Sequence, residues 1–500
     1  MKVYDNEIYE NTKLSDKEIP LLSALKKYSL RDISCFDVPG HVKDQGVDVL
    51  NNYLGNHIMN MDINSSPTMD NVSNPNGIIN EAQNLLAKAY KCDEAFFITN
   101  GTTQAIHAMI LSMIKPGDKI VLPRNIHKSV INALILSGGL PVFIQPEFDE
   151  YLGISLNLDF DKVKKVIEEN KDVKALFLLN PTYYGACTEL KKIIKLCKEN
   201  DVLVLVDEAH GAHFAFHDEL PPSSMELGAD MSTVSIHKTG GALTQASALL
   251  VNNKNIDVSK VRQSINMLQS TSASYLLMAS IDGARHNLVE NGQNQLSKAL
   301  NLSRYAKTEM NKIKGIKVIS TELKQNKGAN FIDETKLCIN TKGLNLTGFE
   351  VYDLLYKKFD VQVELGDLYN ILALVSIGTT KNDIDKLINS LEQIAKLFSK
   401  VGIVKEINTK QIIPEVKLNP REAFYMEKES VEIDKCINRI SGESIMAYPP
   451  GIPVVAPGEL ITKEIIDYIK ILKEKDAHLT DMKDKNLETI LVINDKNKDK

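Results

Sequence analysis

The chain has 500 residues, of which 43% are hydrophobic and 25% are charged, and its formal net charge is −6. This length exceeds a single compact core, so we expect roughly two to four domains. The ordinary composition predicts a globular protein, and the acidic balance argues against nucleic acid as a main partner. The opening segment is polar and no run of about 18 apolar residues occurs, so we expect neither a secretory signal nor a membrane span.

Six cysteines are spread along the chain without the CxxC spacing of metal or redox sites, so neither a zinc site nor a disulfide framework is predicted. They are Cys35, Cys92, Cys187, Cys197, Cys338 and Cys436. Because most stand in apolar or helical contexts, we expect reduced thiols in packed cores and a cytoplasmic protein without a metal site.

The first 75 residues are rich in turn formers and predict an irregular arm with one helix near residues 18–28. Arms of this kind often contact a neighbouring subunit, since a bare loop of that length would be unusual. From residue 76 to residue 290, segments with helical periodicity alternate with short apolar runs that predict strands. The predicted strands are 94–100, 119–123, 141–146, 175–181, 202–210, 232–238 and 247–252.

These strands are apolar on both faces, which indicates a parallel or mixed sheet covered by helices, an α/β domain. Residues 291–400 begin in a long helix and continue with short strands and helices near 347–358 and 381–399, which predicts a smaller α+β domain. Residues 401–500 predict a third region with a helix over 462–475 and a charged tail that frays over about its last 20 residues.

Polar motifs follow five of the predicted strands, and they are TNGTT, RNIHKS, NPTYYG, DEAHGAH and SIHKTGG. Ligands of such sheets bind beyond the carboxyl ends of the strands. We therefore expect the five motifs to form one site.

Lys238 stands at the end of the predicted strand 232–238, where a desolvated ammonium is costly. A surface lysine is the usual interpretation, but Gly240 and Gly241 allow close approach of the backbone to a ligand. A desolvated lysine can form a Schiff base with a carbonyl. Asp207 ends the preceding predicted strand, and a buried aspartate needs a cation such as a protonated pyridine nitrogen. Pyridoxal 5'-phosphate requires this combination of lysine and aspartate.

Three other features favour the same cofactor more weakly. TNGTT, residues 99–103, precedes a helix and offers N–H groups and hydroxyls to a phosphate, although small polar turns are common. Ser235 and His237 are two residues apart on the predicted strand and would therefore face the same phosphate. His127 follows a strand and can stack on the ring, with a helix-capping or surface histidine as the alternative.

Two histidines follow Asp207 in DEAHGAH. His210 lies three residues beyond Asp207 and can touch the ring substituents, whereas His213 is a weaker candidate.

The ensemble of motifs resembles the Orn/Lys/Arg decarboxylases. The resemblance extends to PGHVKDQG, LQSTSASYLLMASID, NPREAFY and RISGESIMAYPPGIPVVAPGE, and it covers about residues 30–465 in order. It implies the fold-type-I (aspartate-aminotransferase-like) architecture, in which a mostly parallel seven-stranded sheet is followed by a smaller α+β domain and a C-terminal α+β domain. The likeness is to the short form of the family, without an N-terminal wing domain, assembled as a homodimer or a dimer-based oligomer with shared active sites.

The resemblance also implies roles for individual residues. Lys238 would bind pyridoxal 5'-phosphate as a Schiff base, Asp207 would pair with the ring nitrogen, and His127 would stack on the ring. His210 would lie at the ring substituents. The residues implied on the phosphate side are Gly101, Thr102, Thr103, Ser235 and His237.

Two implied contacts lie outside the sheet. Either Ser270 or Thr271, in LQSTS, would reach the phosphate bound by the partner subunit. Glu364, in VQVELGDLYNIL, would lie near the distal end of the substrate, with a solvated strand-end residue as an equally good interpretation.

The implied reaction is α-decarboxylation of a basic amino acid. The short architecture favours arginine, which yields agmatine for polyamine biosynthesis, with lysine and ornithine as alternatives that no residue excludes. An aminotransferase or aldolase is less consistent with the sequence, because the arginine motif for the substrate carboxylate is missing near residues 370–385. A catalytically silent regulatory relative is less consistent because Lys238 and Asp207 are both present.

Overall fold

The central element of the fold is a seven-stranded sheet. The computed structural model describes residues 15–494 except 65, 67, 320, 399–411, 413, 448–450 and 476. The strands described up to residue 251 are β1 (Glu94–Ile98), β2 (Lys119–Pro123), β3 (Leu140–Ile144), β4 (Phe148–Asp149), β5 (Ile154–Ser155), β6 (Val173–Leu179), β7 (Ala186–Cys187), β8 (Leu203–Asp207), β9 (Met231–Val234) and β10 (Ser247–Val251). The order of strands in the sheet is β1-β10-β9-β8-β6-β2-β3.

The direction of the strands brings their ends together. β10 is antiparallel to both β1 and β9, and every other neighbouring pair is parallel. All strands of this sheet except β10 therefore run the same way and end at one edge. The prediction of an α/β fold with a mostly parallel seven-stranded sheet is confirmed.

The helices described up to residue 310 are α1 (Pro20–Ser29), α2 (Asp48–Leu54), α3 (Asn56–Met61), α4 (Ile78–Ala89), α5 (Gly101–Met113), α6 (Lys128–Ser137), α7 (Phe160–Glu169), α8 (Leu190–Glu199), α9 (Ile236–Thr239), α10 (Val258–Leu268) and α11 (Tyr275–Met310). α5, α6 and α10 pack on one face of the sheet, and α4, α7, α8 and α11 pack on the other. In α8, the buried residues Leu190, Ile193, Ile194 and Cys197 recur at helical spacing. Burial of each large aliphatic side chain contributes about 1.5–3 kcal/mol, so this stripe fixes α8 on the sheet.

The arm before the sheet contains more helix than the sequence predicts. Besides α1, the structure has α2 and α3, which are 7 and 6 residues long. Helices this short show no clear apolar period, which explains why the sequence did not reveal them.

The long helix α11 leads from the sheet into the next region. It is continuous for 36 residues and crosses residues 290 and 291, between which the sequence analysis divides the first two domains. The elements that follow are β11 (Lys317–Val318), β12 (Phe331–Ile332), β13 (Lys336–Asn340), α12 (Gly348–Phe359), β14 (Leu365–Gly366), β15 (Asn370–Leu374) and α13 (Lys381–Phe398). β11, β13, β15 and β14 form a small antiparallel sheet, whereas β12 pairs with β7.

The C-terminal residues have a core of their own. Their elements are α14 (Pro420–Tyr425), β16 (Lys428–Glu432), β17 (Ile445–Ala447), β18 (Ile452–Val455), α15 (Lys463–Glu474), β19 (Leu479–Thr480) and β20 (Thr489–Ile493). The prediction of a frayed tail is wrong for β20, which pairs with β16 because Ile490 and Val492 are fully buried. The division of the chain at residues 75, 290 and 400 stays a prediction.

Among the residues that the structure describes, no helix is long and apolar enough to cross a bilayer. Within the same residues, no group of three or more histidine, cysteine or acidic side chains has the arrangement of a metal site.

Candidate active site

Lys238 lies on α9, a single helical turn that begins at Ile236 after β9 ends at Val234. The predicted strand over 232–238 is therefore wrong beyond Val234. The alternation Ser-Ile-His-Lys is equally compatible with a turn of helix, which is closed here by the hydrogen bond from Gly240 N to Ile236 O at 2.8 Å. The turn brings the lysine back over the carboxyl edge of the sheet.

The amine of Lys238 is partly buried and has an aromatic and a histidine neighbour. Its Nζ lies 2.9 Å from His210 Nε2 and 5.4 Å from the centroid of the Tyr183 ring. Burial lowers the pKa of Lys238, although the charges of Asp207 and Glu364 oppose this effect. A larger fraction of the amine is therefore neutral, and hence nucleophilic, than for a solvated lysine.

Asp207 is the last residue of β8 and only 3% exposed. Among the described residues, its carboxylate accepts one hydrogen bond, from Ala209 N at 3.0 Å. Burial raises the pKa of Asp207, and the hydrogen bond from Ala209 and the charge of Lys238 only partly offset that effect. The carboxylate is therefore poised to accept a further donor.

His210 fills the space between Lys238 and Tyr183. It is 2% exposed, and its ring centroid lies 4.3 Å from that of Tyr183. Burial, together with the charges of Lys238 and Lys336, holds the pKa of His210 well below its usual value. His210 is therefore a neutral imidazole at physiological pH.

His127 is the N-cap of α6, so the alternative of a helix-capping histidine is confirmed. Its Nδ1 accepts a hydrogen bond from Ser129 N at 3.2 Å, which leaves the proton of the neutral ring on Nε2. Burial, followed by the charge of Lys238, lowers the pKa of His127 to about 4. His127 therefore caps α6 and also lies close enough to Lys238 for the charge of the lysine to affect its pKa.

The N-terminus of α5 contributes hydroxyls to the same edge. Thr102 Oγ1 lies 2.6 Å from Ser235 Oγ and 3.2 Å from Ser247 Oγ. Gly101 has a φ of +71°, and no atom lies within 4 Å of where a Cβ would stand. The helix N-terminus thus faces open space, and Thr103 beside it is exposed. The structure brings Gly101, Thr102 and Ser235 together.

His237 lies differently from the prediction. Because it is on α9 and not on a strand, the argument that it faces the same side as Ser235 no longer holds. Its Nδ1 lies 3.1 Å from Ala246 O. Burial lowers the pKa of His237, and the contact with Ala246 O and the charge of Glu364 only partly oppose this effect.

Three candidates lie at the periphery in this chain. Ser270 and Thr271 are exposed in the turn between α10 and α11, and Ser270 Oγ lies 2.9 Å from Ser272 Oγ. Glu364 is exposed just before β14, but its charge raises the pKa of Lys238. A contact of the turn with a partner subunit, and of Glu364 with the substrate, stay predictions.

Tyr183 lies in the strand-end motif NPTYYG, but no role was predicted for it. In the structure, Tyr183 follows β6 and packs against both His210 and Lys238. The position of the motif at a strand end was the signal that could have identified it.

A buried cluster behind the site was also missed. Asp333 accepts hydrogen bonds from Lys336 Nζ at 2.9 Å and Thr335 Oγ1 at 2.6 Å, and His213 Nε2 lies 3.3 Å away. Burial alone would raise the pKa of Asp333, but the charges of Lys336 and His213 hold it well below its usual range. His213 therefore belongs to this cluster, while Lys336 Nζ lies 3.5 Å from His210 O and joins the cluster to the site.

The residues at the edge fit pyridoxal 5'-phosphate. Four features of the edge have unused binding capacity: the Asp207 carboxylate, the Lys238 amine, the open N-terminus of α5, and His210 Nδ1, which is buried without a hydrogen-bond partner among the described residues. A phosphorylated pyridine aldehyde carries a group for three of them: a ring nitrogen, a carbonyl and an anion. Three of the four features therefore match groups of the cofactor in kind.

The fold defines the class of protein. The solved lysine decarboxylase LdcF of Francisella novicida superimposes with a TM-score of 0.80 at 22% identity, over 96% of this chain and 82% of that one. At this identity the likeness shows the fold alone, which is that of the fold-type-I enzymes dependent on pyridoxal phosphate.

Sequence comparison then gives the family. The family profile described as the Orn/Lys/Arg decarboxylase major domain matches residues 19–383, and the profile of the C-terminal domain matches residues 403–483. The chain is 41% identical to the arginine decarboxylase of Bacillus subtilis (strain 168) over 470 residues, which are 93% of this chain and 95% of the relative. It is 40% identical to that of Halalkalibacterium halodurans over 95% of this chain and 98% of the relative. The chain therefore belongs to the Orn/Lys/Arg decarboxylase family.

Proposed function

We propose that this protein is an arginine decarboxylase that depends on pyridoxal 5'-phosphate and converts arginine to agmatine and CO2, a step of polyamine biosynthesis. The choice of arginine rests on the Bacillus subtilis relative, which matches along nearly the full length of both chains. The choice of a cofactor site rests on one observation above all, the buried and under-bonded Asp207 on the strand next to that leading into Lys238.

The cofactor, when bound, supplies a ring that accepts the electron pair of the breaking bond between Cα and the carboxylate. Lys238 holds it covalently through Nζ, and the low pKa of this amine favours that attachment. Asp207 keeps the ring nitrogen protonated, because a cation beside this buried carboxylate restores its ionised form.

His127 covers one face of the ring as an uncharged imidazole. A pKa of about 4 keeps it neutral, so it adds no positive charge that would compete with the ring for electrons. The hydrogen bond from Ser129 N fixes the orientation of the ring, and it would leave the Nε2–H group to donate a hydrogen bond to the substrate carboxylate without transferring the proton.

His210 and Lys238 handle the proton that replaces CO2. His210 Nε2 lies 2.9 Å from Lys238 Nζ, within hydrogen-bonding distance, so a proton can pass between them. Tyr183 packs against both side chains and excludes water from this contact. We assign the protonation of Cα to Lys238 Nζ, with His210 as its hydrogen-bond partner.

Gly101, Thr102, Thr103 and Ser235 form the proposed phosphate site, supported by the open N-terminus of α5 and the hydroxyl contact between Thr102 and Ser235. His237 is retained as a more peripheral member. The turn with Ser270 or Thr271 completes the site from the partner subunit.

The proposed substrate contact is Glu364. Its charge already acts on Lys238 and His237 in this chain, so an acidic group faces the mouth of the site. A guanidinium can form two parallel hydrogen bonds with such a carboxylate, which supports a basic substrate.

We also propose a cytoplasmic homodimer. The arm supports a subunit contact, because Phe36 is 99% exposed, Tyr53 is 87% exposed and α2 buries none of its residues in this chain. Large apolar side chains in one exposed segment are typical of protein interfaces.

The test of the proposed function is CO2 release measured in parallel with arginine, lysine and ornithine, with and without added pyridoxal 5'-phosphate. We expect cofactor-dependent release that is fastest with arginine, and agmatine as the product. Preference for lysine or ornithine would overturn the substrate assignment, and release from none of the three would overturn the decarboxylase assignment.

A further inference from the structure

The loop that carries His127 is fastened by the C-terminal region. This loop, residues 124–127, joins β2 to Lys128, the first residue of α6. Arg124 Nη1 donates to Pro453 O at 3.0 Å, and Lys128 N donates to Gly451 O at 3.2 Å. Both acceptors are backbone carbonyls more than 300 residues further along the chain, so the contacts are tertiary and not local.

The strongest of these contacts is a buried ion pair. Arg124 Nη2 lies 2.9 Å from Glu459 Oε2, and the two side chains are 7% and 2% exposed. Glu459 Oε2 also accepts a hydrogen bond from Ala456 N at 2.7 Å, which fixes the carboxylate within its own region. The guanidinium stands over the Phe143 ring at 5.6 Å, which fixes the other end of the pair.

A second ion pair joins the same two regions at their surface. Lys128 Nζ lies 2.9 Å from Asp481 Oδ1, with side chains 37% and 32% exposed. The charges of Lys128 and Asp481 act on the pKa of His127 in opposite directions. The C-terminal region is therefore linked to His127 on both sides, through Arg124 before it and Lys128 after it.

We propose that the C-terminal region fixes the position of His127 at the cofactor, and that Arg124 and Glu459 are the positioning residues of this device. The inference rests on the proposed function, since it is the cofactor ring that His127 covers. A group that acts by stacking and by donating a hydrogen bond must be held within a fraction of an ångström, and a displacement of about 1 Å can cost on the order of 100-fold in rate.

The ion pair between Arg124 and Glu459 is suited to positioning the loop because it is stable only while the two side chains remain in contact. If the loop moved away, a buried glutamate and a buried arginine would each lose their partner, and an unpaired buried charge is strongly unfavourable. A contact between apolar side chains would allow small displacements without such a penalty.

The variant that tests this is Glu459→Gln, with Glu443→Gln as the matched control. Glu443 is also a buried glutamate of the C-terminal region, but it accepts its hydrogen bonds from Lys483 N and Leu491 N, within that region. Asp481→Asn weakens the partly exposed contact and serves as a milder variant if Glu459→Gln folds poorly.

Two readouts separate positioning from general stability. The first is hydrogen exchange of the peptide that covers residues 124–130 in the cofactor-free protein. The second is the dissociation constant of pyridoxal 5'-phosphate together with the visible circular dichroism of the bound cofactor. Both are measured in the wild type, in His127→Ala, and in the double variant His127→Ala/Glu459→Gln.

We expect Glu459→Gln to speed exchange in the loop and to weaken cofactor binding by about 10-fold, from the loss of one partner of a buried charge pair. Asp481→Asn acts in the same direction with a smaller size, and Glu443→Gln changes neither readout. In the His127→Ala background, Glu459→Gln should have no further effect on cofactor binding.

An equal effect of Glu459→Gln with and without His127 would overturn the inference, as would unchanged loop exchange or an unchanged cofactor spectrum. If the wild-type protein takes up no pyridoxal 5'-phosphate, the proposed function fails. The exchange data still decide in that case whether Glu459 holds the loop.

Discussion

Two buried arrangements of a lysine and an aspartate lie on either side of His210. Behind it, Lys336 and Asp333 form an ion pair at 2.9 Å, and the carboxylate is further bonded by Thr335. In front of it, Lys238 and Asp207 form no ion pair with each other, and the Asp207 carboxylate accepts only the N–H of Ala209 among the described residues. The lysine and the aspartate are thus paired with each other behind His210, and they are not paired with each other in front of it.

The difference shows how a binding site can be recognised from its electrostatics. In the rear cluster, mutual compensation holds the pKa of Asp333 well below its usual range. In the front pair, burial prevails and raises the pKa of Asp207 while it lowers that of Lys238. A protein retains such uncompensated groups at sites where a ligand supplies the missing partner. The rear cluster joins β13 to the loop that follows β8, and the front pair retains the capacity to bind the proposed cofactor.

The sharpest way to break this comparison is Lys238→Ala. We expect CO2 release to fall by at least about 10³-fold, because both cofactor attachment and proton return are lost. The fold should persist, because burial disfavours the charged amine, and the loss of its hydrogen bond with His210 costs only about 1 kcal/mol. Activity and far-ultraviolet circular dichroism of the same samples test this, and residual activity within 10-fold of wild type would contradict the role of Lys238.

Substitutions in the rear pair, Lys336 and Asp333, should change the stability of the protein. Lys336→Met leaves Asp333 charged and unpaired, which lowers the free energy of unfolding by about 3–5 kcal/mol. The double variant Asp333→Asn/Lys336→Met should recover most of that loss. Urea denaturation of the cofactor-free variants measures both values.

Asp207→Asn is the counterpart in the front pair. Since the folded state raises the pKa of Asp207, ionisation of this group opposes folding, and its removal should not destabilise the cofactor-free protein. Activity should nevertheless fall, because the ring nitrogen loses its carboxylate. A loss of stability equal to that of Lys336→Met would remove the distinction between the two pairs.

The pH dependence sharpens the comparison at His127. Its pKa is lowered to about 4 in the fold, whereas the unfolded chain has the ordinary value of about 6.5. Between these values the unfolded state binds the extra proton, so stability present at neutral pH is lost as the pH falls from about 6.5 toward 4.

His127→Gln should remove this contribution, which flattens the slope of stability against pH by up to about 1.4 kcal/mol per unit. Denaturation of the cofactor-free protein at a series of pH values measures the slope. An unchanged slope would mean that His127 is solvated and does not lie in the closed site.

The smallest expected effect belongs to Glu364, at the exposed mouth. Glu364→Gln should raise the KM for arginine by about 5-fold, since exposed ion pairs contribute about 1 kcal/mol or less, and leave kcat nearly unchanged. Glu392→Gln, on the far helix α13, is the control because its surface pair with Lys396 is remote from Lys238. An equal effect of the two variants would leave Glu364 without a specific role.

The sequence was most informative where chemistry and periodicity coincide. Apolar runs ending in polar motifs predicted the sheet and one edge for Lys238, Asp207 and His127, because parallel strands bring their carboxyl ends together. The turn of α9 was missed because a four-residue helix has no period to detect. β20 was missed because its alternation is short and embedded in charged residues.

Contacts between residues that are far apart along the chain could not be predicted from the sequence. His213 lies 120 residues from Asp333, and Arg124 lies 335 residues from Glu459. Nothing in the sequence around any of these residues indicates its partner. The partners meet only because the region of the large sheet, the region of the small sheet and the C-terminal region pack together. The motifs therefore predicted the groups that would touch the cofactor, whereas the groups that hold them in place required the structure.

Covalent binding of the cofactor by Lys238 can be measured directly. The protein is loaded with pyridoxal 5'-phosphate, reduced with borohydride and digested, and the added mass is located by peptide mass spectrometry. We expect one modified peptide, which contains Lys238, and its loss in Lys238→Ala. Modification of Lys336 or of another lysine in place of Lys238, or of none, would contradict this assignment.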